Sequence, residues 1–270
     1  MTTLTSRDNP RFKHLVKLAG SARQRKKDRQ TLLDGAHLVA AYFAAAGMPE
    51  RVVVSESGLQ QAEIKSLLAA FETMPGGSKK GVTHLSDALF NEISPVKTPG
   101  GILAQIVIPP AQAMPARSGF SVLLEAIQDP GNLGSILRSA AAAGAGAVYL
   151  SADCADAWSP KTLRAAMGAH FLLPIYEQAD LIAVAQSFDG QVIATALAAR
   201  QSLYASKLPG NIAFVFGNEG EGLSEALLQA ATLQVTIPMP GGMESLNAAA
   251  AAAVCFFEKV RQDAMAEEHL

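Results

Sequence analysis

The sequence predicts an α/β protein built on a mainly parallel β-sheet, and three observations lead to this prediction. In the second half of the chain, short apolar stretches alternate with stretches of helical spacing. Most of these apolar stretches are continuously hydrophobic, which is typical of parallel strands that helices cover on both faces. The composition is that of an ordinary globular protein, with 49% hydrophobic and 17% charged residues among 270.

The first part of the chain carries a smaller α/β pattern. Helical spacing covers residues 31–47 and 59–74, and Ser86 is the predicted cap of a further helix at 85–94. Strands are predicted at 51–55 and 100–109.

The division into domains follows from composition. Residues 109–118 contain three prolines and almost no hydrophobic pattern, so we interpret them as a linker between a domain at 1–108 and a domain at 119–270. We find no internal repeat. The strands predicted in the second domain are 121–127, 147–150, 171–175, 191–195, 212–217 and 233–238. The helices predicted there are 133–144, 159–168, 180–188, 222–231 and 245–263.

The charge is distributed unevenly along the chain. Residues 1–120 carry 15 Lys and Arg against 9 Asp and Glu, or +6, whereas residues 121–270 carry 7 against 15, or −8. The first 29 residues alone contain 9 basic and 2 acidic side chains. A basic first half suggests that one part of the protein meets a polyanion. A single short basic run is explained more simply as a solvent-exposed helix face than as a binding site for a polyanion.

Other features indicate a cytoplasmic protein. The first residues are charged and lack the apolar core of a secretory signal. Apolar runs stay well short of the roughly 20 residues that span a bilayer. Cys154 and Cys255 lie far apart without a metal-binding spacing, so we predict buried thiols in a reducing compartment.

Three loops are expected at the carboxyl edge of the parallel sheet, where open α/β proteins bind ligands. The first, residues 128–138, places Asn132 and Gly134 near the start of a helix, whose backbone N–H groups receive polar ligands. Arg138 follows one to two turns later. An ordinary helix cap by Asp129 or Asn132, with Arg138 on the surface, explains this loop equally well.

The first loop also allows another interpretation. A strand, the residues PGNLG, a helix, a second strand and then Asp153 are the order of a dinucleotide-binding unit. The glycines are not spaced as G-x-G, however, and the second half lacks an obvious set of residues for hydride transfer.

The second loop, residues 216–224, is rich in glycine, which permits sharp turns and close approach to a ligand. Folding does not require a carboxylate at Glu219, and we predict that this side chain holds Arg138 by a bidentate pair. The N-terminus of a helix favours nearby acidic side chains, and this alone explains Glu221 without a functional role.

The third loop, residues 237–247, ends a strand and opens a long helix, with Ser245 as the predicted N-cap. Six consecutive alanines follow Asn247 and make a slim helix face that suits close packing.

Together the three loops resemble a known family. The motifs N-x-G-x-x-x-R, F-G-N-E-G-x-G and I-P-M-x-G-x-x-x-S-L-N occur in this order, and they resemble the SpoU/TrmH family of RNA ribose 2′-O-methyltransferases. Residues 159–169 are similar to the family's segment between the first two loops. The stretches LLDGAHLV and ISPVKTPGGILA resemble the family's L30e-like RNA-binding domain. Asp34 and Ala166 depart from the family's usual Glu and Ser, which concerns the RNA substrate more than the chemistry.

The resemblance implies a catalytic domain with a C-terminal trefoil knot, S-adenosylmethionine as methyl donor without a metal, and a homodimer whose active site draws on both subunits. It implies ribosomal RNA as substrate, with transfer RNA second. The implied catalytic residues are Arg138, Asn132, Glu219, Ser245 and Asn247. The implied cofactor-binding residues are Gly217, Ile237, Leu246, Asn218, Gly222 and Met239. The basic residues expected to bind RNA are Arg11, Lys13, Arg23, Arg25, Lys26, Lys27 and Arg29.

Other functions remain as alternatives to this hypothesis. The first is a non-catalytic RNA-binding or ribosome-assembly protein on the same fold, which binding of the methyl donor would distinguish. The second is an oxidoreductase, which requires a nicotinamide dinucleotide. Methylation of a base instead of a ribose is a further alternative on the same fold.

Overall fold

The computed structural model describes residues 2–73, 81–94, 96, 98–110 and 119–267. The chain forms two compact units, one of residues 1–110 and 158–171, the other of residues 111–157 and 172–270. Most of the predicted linker, from residue 111 to 118, lies outside the described residues. The domain division at 1–108 and 119–270 stays a prediction, although residues 158–171 belong to the first compact unit.

The first unit is an α/β fold around a five-stranded sheet. Its strands in the first part of the chain are β1 (Thr2–Leu4), β2 (Gln30–Asp34), β3 (Arg51–Ser55), β4 (Val82–Leu85) and β5 (Ile102–Val107). Its helices there are α1 (Pro10–Gly20), α2 (Ala22–Asp28), α3 (Ala36–Ala46), α4 (Ala62–Thr73) and α5 (Asp87–Ile93). The sheet order is β1-β4-β3-β5-β2, in which β1, β4 and β3 are parallel and β5 is antiparallel to both of its neighbours.

The predicted helix at 31–47 is wrong in its first turn, because residues 30–34 form strand β2. Arg29 has a left-handed backbone that ends α2, and Gly35 has a φ of 100° that separates β2 from α3. Leu32 and Leu33 are both fully buried although they point to opposite faces of the sheet. A short strand that is buried on both faces lacks the alternation that distinguishes strand from helix in a sequence.

The second unit contains the remaining elements except one helix. Its strands are β6 (Phe120–Leu124), β7 (Ala147–Leu150), β8 (Ile175–Tyr176), β9 (Gln191–Thr195), β10 (Gln201–Ser202), β11 (Ile212–Phe216) and β12 (Leu233–Thr236). The helices after α5 are α6 (Pro130–Ala142), α7 (Pro160–Ala166, in the first unit), α8 (Leu181–Gln186), α9 (Glu225–Ala230) and α10 (Ala248–Glu267). The seven strands form one parallel sheet in the order β10-β12-β9-β11-β6-β7-β8.

The parallel sheet confirms the predicted fold class, and one predicted strand is wrong. Residues 169–171 form a 3₁₀ turn, and only Ile175 and Tyr176 pair with β7. Pro174 explains the shortening, because proline has no N–H with which to continue a ladder. The trefoil knot stays a prediction.

The segment between β7 and β8 completes the first unit. The Thr31 hydroxyl donates a hydrogen bond of 2.6 Å to the carbonyl oxygen of Trp158. The ring of Phe171 meets the edge of Tyr42 at a centroid distance of 5.3 Å. A domain cut at the linker would therefore lack part of its own packing.

The core of the second unit positions its ligand-binding edge. Phe256 of α10 packs edge-on against Phe216 of β11 and beside Phe214, with centroids 5.6 and 6.1 Å apart. Strands β6, β11 and β12 all run in the same direction, and β9 lies between β11 and β12 in the sheet. The loops that follow the three strands therefore leave the same edge of the sheet. In the part of the chain that the structure describes, no helix is long and apolar enough to cross a membrane.

Candidate functional site

In the first loop, Asp129 caps the helix, which leaves the side-chain amide of Asn132 available for other hydrogen bonds. Asp129 is the N-cap of α6, and its carboxylate accepts the backbone N–H of Asn132 at 2.8 Å. The side chain of Asn132 is therefore not used as a cap. It donates from Nδ2 to Oε1 of Glu219 at 3.0 Å and accepts from Nδ2 of Asn247 at 2.8 Å. Asn132 thus connects all three loops.

Glu219 is bound by amides of the first loop. Besides the bond from Asn132, its carboxylate accepts the backbone N–H groups of Gln128 at 3.3 Å and Asp129 at 3.4 Å. Burial alone raises the pKa of Glu219, but the hydrogen bonds, that from Asn132 first, outweigh it and lower the pKa. Glu219 is therefore a stable carboxylate and unsuited to accept a proton at neutral pH.

The predicted pair between Glu219 and Arg138 is wrong for the single chain. Arg138 is exposed, and among the described residues its guanidinium has no hydrogen bond or ion pair. Six residues of α-helix rotate by about 600° and rise by about 9 Å, which places Arg138 roughly 120° around α6 from Asn132. Its charge is free to meet another molecule.

The second loop folds tightly on itself. The main chains of Asn218 and Gly222 exchange hydrogen bonds of 3.0 and 2.9 Å. A Cβ on Gly217 would lie 2.3 Å from the carbonyl of Gly222, so this position accepts no side chain. Gly222 itself has a φ of 74°, which glycine adopts without strain. The glycines of the motif are thus required by the turn.

The third loop ends in a helix cap that differs from the predicted one. Asn247 caps α10, since its Oδ1 accepts the N–H groups of Ala249 at 2.9 Å and Ala250 at 3.3 Å. Ser245 lies two residues upstream, is exposed and accepts no backbone N–H from the described residues, so its predicted role as N-cap is wrong. The helix begins at Ala248 instead of residue 245. An asparagine at this position caps as well as a serine and also offers its Nδ2 to Asn132.

The three loops enclose a cleft of about 780 Å³ in the second unit. Ligand sites typically have about 300–1,000 Å³. Arg138 does not line the cleft. The predicted catalytic and cofactor-binding residues that do line it are Asn132, Gly217, Asn218, Glu219, Gly222, Ile237, Met239, Ser245, Leu246 and Asn247.

Sequence reasoning missed part of this lining. Residues 195–198, which follow β9, contribute one wall, and Leu223, Leu228 and Val235 contribute apolar surface. The strand at 191–195 was predicted, so its position in a parallel sheet was a signal for the loop behind it. That loop has the sequence ALA and carries no polar or glycine-rich pattern.

The charged residues of the cleft all have the same sign. Glu219, Glu221 and Glu244 line it, and no Lys or Arg is found among the described residues that do so. Such a cleft favours a ligand that carries positive charge. Within the described residues no group of three or more His, Cys, Asp or Glu side chains is arranged to hold a metal ion.

The seven basic residues predicted to bind RNA fall into two groups. Arg11, Arg23, Lys26, Lys27 and Arg29 are exposed, and so is Lys13, whose amine also pairs with Asp8 at 2.8 Å. Arg25 is buried, and its guanidinium donates to the carbonyl oxygens of Leu18 at 2.7 Å and Ala19 at 3.2 Å. Arg25 thus closes the end of α1, and its predicted place in an RNA-binding surface is wrong.

A parallel sheet whose strand-end loops line an acidic, glycine-rich cleft is typical of a ligand-binding α/β protein. Comparison with known proteins gives the family. Residues 119–257 match the model of the SpoU rRNA Methylase family, and residues 9–104 match the MRM3-like substrate binding domain. The chain belongs to the SpoU rRNA methylase family.

Relatives and solved structures agree over nearly the whole chain. The 23S rRNA (guanosine(2553)-2′-O)-methyltransferase RlmP of Bacillus subtilis is 30% identical, covering 95% of this chain and 98% of the relative. A crystal structure of an RNA 2′-O ribose methyltransferase has a TM-score of 0.83 at 29% identity, covering 97% of this chain and all of that one. An AdoMet-bound rRNA methyltransferase from Sinorhizobium meliloti has a TM-score of 0.78 at 27% identity, covering 96% and 97%.

Proposed function

We propose that this protein transfers a methyl group from S-adenosylmethionine to a ribose 2′-hydroxyl of ribosomal RNA. The observation that carries the proposal is the hydrogen-bonded series Asn247–Asn132–Glu219, which connects the three family motifs at the cleft. The relatives support the substrate class, because RlmP is named for 2′-O-methylation of 23S rRNA.

The cleft fits the proposed donor. Its glycines bring backbone groups close to a ligand, and Leu223, Leu228 and Val235 provide an apolar wall for a nucleobase. Its acidic lining suits a donor with a sulfonium and an ammonium group. The donor supplies an already activated methyl group, so the protein has to align the acceptor and assist its deprotonation. We assign the contacts with the donor to Gly217, Ile237, Leu246, Gly222 and Met239, which were predicted to bind it and line the cleft.

Arg138 is the proposed catalytic residue. Arginine stays protonated in proteins, so it is not a general base at neutral pH. We assign to its guanidinium the binding of the phosphate next to the reacting ribose and the stabilisation of the developing alkoxide. The proton of the 2′-hydroxyl then leaves through that phosphate or through water. Ser245 lines the cleft, is exposed and is assigned to contact with the RNA.

A homodimer would bring Arg138 to the cleft that it does not line in its own chain. The outer face of α10 supports such an assembly, because Phe257 is 48% and Val260 36% exposed one turn apart. In a two-fold dimer each subunit supplies the arginine for its partner's cleft.

The first unit is the proposed RNA-binding part. Its exposed Arg23, Lys26 and Lys27 add affinity that is independent of sequence and sensitive to salt. Targets of this kind are loops whose bases are splayed out. We propose a cytoplasmic location, in line with the bacterial rRNA methyltransferases that the chain resembles.

An assay with isolated components tests the proposal. The purified protein is incubated with methyl-labelled S-adenosylmethionine and ribosomal RNA from cells that lack this gene, and the RNA is digested to nucleosides. We expect label in a single 2′-O-methylated nucleoside. Label in a base, label only with transfer RNA, or donor binding without transfer would each contradict the proposal, and so would specific binding of a nicotinamide dinucleotide.

A further inference from the structure

We infer that Asn218 is a positioning residue that sets the location of Glu219 and does not act mainly as a donor contact. The inference rests on the proposed function, and it revises the role that the family resemblance implies for this asparagine.

The oxygen and one of the two N–H groups of the Asn218 side chain are bonded to protein groups. Its Oδ1 accepts the backbone N–H groups of Gly220 at 2.8 Å and Glu221 at 3.1 Å. Its Nδ2 donates to the carbonyl oxygen of Ala126 at 2.9 Å. An amide oxygen has two acceptor positions, so the Oδ1 of Asn218 has none left for a ligand.

The hydrogen bonds of Asn218 hold both the turn that carries Glu219 and the loop that binds its carboxylate. The bonds from Gly220 and Glu221 hold the turn that follows it, whose main chain is also closed by the pair between Asn218 and Gly222. The bond to Ala126 holds the other loop, which supplies the N–H groups of residues 128 and 129 to the Glu219 carboxylate.

The bond from Asn218 holds Ala126 in a strained backbone conformation. Its φ of 52° lies in the left-handed region, which is unfavourable for a residue with a Cβ. Its N–H donates to the hydroxyl of Ser151 at 2.9 Å, and its carbonyl oxygen accepts from Asn218. Both polar groups of the strained residue are therefore held by side chains. Without Asn218, Ala126 would relax and carry residues 128 and 129 away from Glu219.

A kinetic comparison of Asn218→Ala with wild type tests the inference first. Because small misplacements of a catalytic group are costly, we expect kcat to fall by about tenfold or more while the KM for the donor changes by less than about threefold. A raised donor KM with an unchanged kcat would assign Asn218 to donor binding and overturn the inference.

A matched control separates positioning from general stability. Asn211 lies just before β11, whereas Asn218 lies just after it, and it makes a similar pair of bonds: Oδ1 accepts from Gly119 at 2.9 Å and Nδ2 donates to Asp189 at 2.8 Å. Asn211→Ala should lower the melting temperature as much as Asn218→Ala does and leave kcat near wild type. An equal loss of kcat in both variants would contradict a positioning role.

Two further variants test the route through Glu219. If Asn218 acts through Glu219, Asn218→Ala should cost little additional kcat in a Glu219→Ala background, whereas additive losses would overturn the inference. Asn218→Asp keeps the shape and the two acceptor bonds, but its carboxylate repels the Ala126 carbonyl. The activity of this variant, divided by that of wild type at the same pH, should rise as the pH falls, because the protonated carboxyl group can again donate a hydrogen bond to the Ala126 carbonyl oxygen. An activity ratio that does not change with pH would overturn the inference.

These outcomes are distinct from failure of the proposed function. If wild-type protein methylates no RNA, the proposed function fails. If wild type is active and the Asn218 variants behave as donor-binding variants, only the positioning role fails.

Discussion

The side-chain amide of Asn247 donates a hydrogen bond of 2.8 Å to the side-chain oxygen of Asn132, which leaves the Asn132 nitrogen to face Glu219 at 3.0 Å. This order of bonds fixes the orientation of the central amide, because its oxygen and nitrogen have different partners. It also ties the start of α6 to the start of α10. The site is thus a connected network in which a change at one loop is felt by the others.

Glu219→Gln tests this network. The carboxylate accepts three N–H groups, and a glutamine would turn its own NH₂ toward at least one of them. We expect kcat to fall by about tenfold or more, with a lowered melting temperature. Glu225→Gln is the control, since Glu225 lies on α9 and its side chain bonds, among the described residues, only to Gln229 on the same helix. Activity within about twofold of wild type in both variants would contradict the role of the network.

Arg138→Ala should abolish methyl transfer and leave the dissociation constant of S-adenosylmethionine nearly unchanged, because Arg138 is assigned to the RNA phosphate and the acceptor oxygen and not to the donor. Arg138→Lys should recover little activity, because an ammonium lacks the two-pronged geometry that suits a phosphate. Calorimetric titration of the donor and a methyl-transfer assay measure the two quantities. A lysine variant with most of the wild-type activity would show that the fork geometry is irrelevant.

Mixed dimers test whether Arg138 acts in the partner's cleft. Arg138→Ala lacks the arginine, and Gly217→Val blocks the donor site, since even a Cβ there lies 2.3 Å from backbone. Each variant alone should be inactive. After random exchange of subunits, half of the dimers carry one complete site, so about a quarter of wild-type activity should return. Mixtures that stay inactive although heterodimers form would contradict action between subunits.

The basic side chains near the N-terminus should separate into two classes. Arg25→Ala removes the guanidinium that holds the end of α1, and we expect it to destabilise the protein by on the order of 2 kcal/mol without changing the salt dependence of RNA binding. Lys26→Ala and Lys27→Ala should leave stability unchanged and reduce the slope of log K against log salt by up to about 1 each. The reverse pattern would place Arg25 in the RNA interface after all.

Asp34 should make the first unit less stable as the pH rises. Burial raises its pKa, against the effects of the bond from Ser94 and of Arg164 at 3.5 Å, and its Oδ1 is buried without a hydrogen-bond partner. A carboxyl group whose pKa is higher in the folded state binds its proton more tightly there. Its contribution to stability is therefore fully present below about pH 3.9 and is lost as the pH rises through the folded-state pKa.

The test compares Asp34→Asn with wild type by urea unfolding from acid to neutral pH. The difference in free energy of unfolding, variant minus wild type, should increase with pH. Asp87→Asn is a control of opposite sign, because the N–H and hydroxyl of Ser57 lower the pKa of Asp87. Its contribution is present above the unfolded pKa and is lost in acid. A difference for Asp34→Asn that does not vary with pH would contradict its raised pKa.

The positions of the three loops were predictable, because each follows an apolar stretch and parallel strands end at a common edge. The hydrogen-bond partners of Glu219 could not be predicted, because two of them are backbone N–H groups, which every residue except proline carries. The burial of Arg25 could not be predicted either, because five basic residues within residues 23–29 do not reveal which of them is packed against the protein. The cap of α10 was misplaced by two residues because serine and asparagine are equally suited to that role.

The measurement that tests the proposed activity most directly is mapping of ribose methylation in total RNA. Wild-type cells are compared with cells that lack this gene and with a strain that carries Arg138→Ala. We predict that one 2′-O-methyl site in ribosomal RNA disappears in both altered strains. If every 2′-O-methyl site persists in the deletion strain, the protein is not a ribose methyltransferase of cellular RNA, and the assignment of Arg138 to that chemistry is wrong.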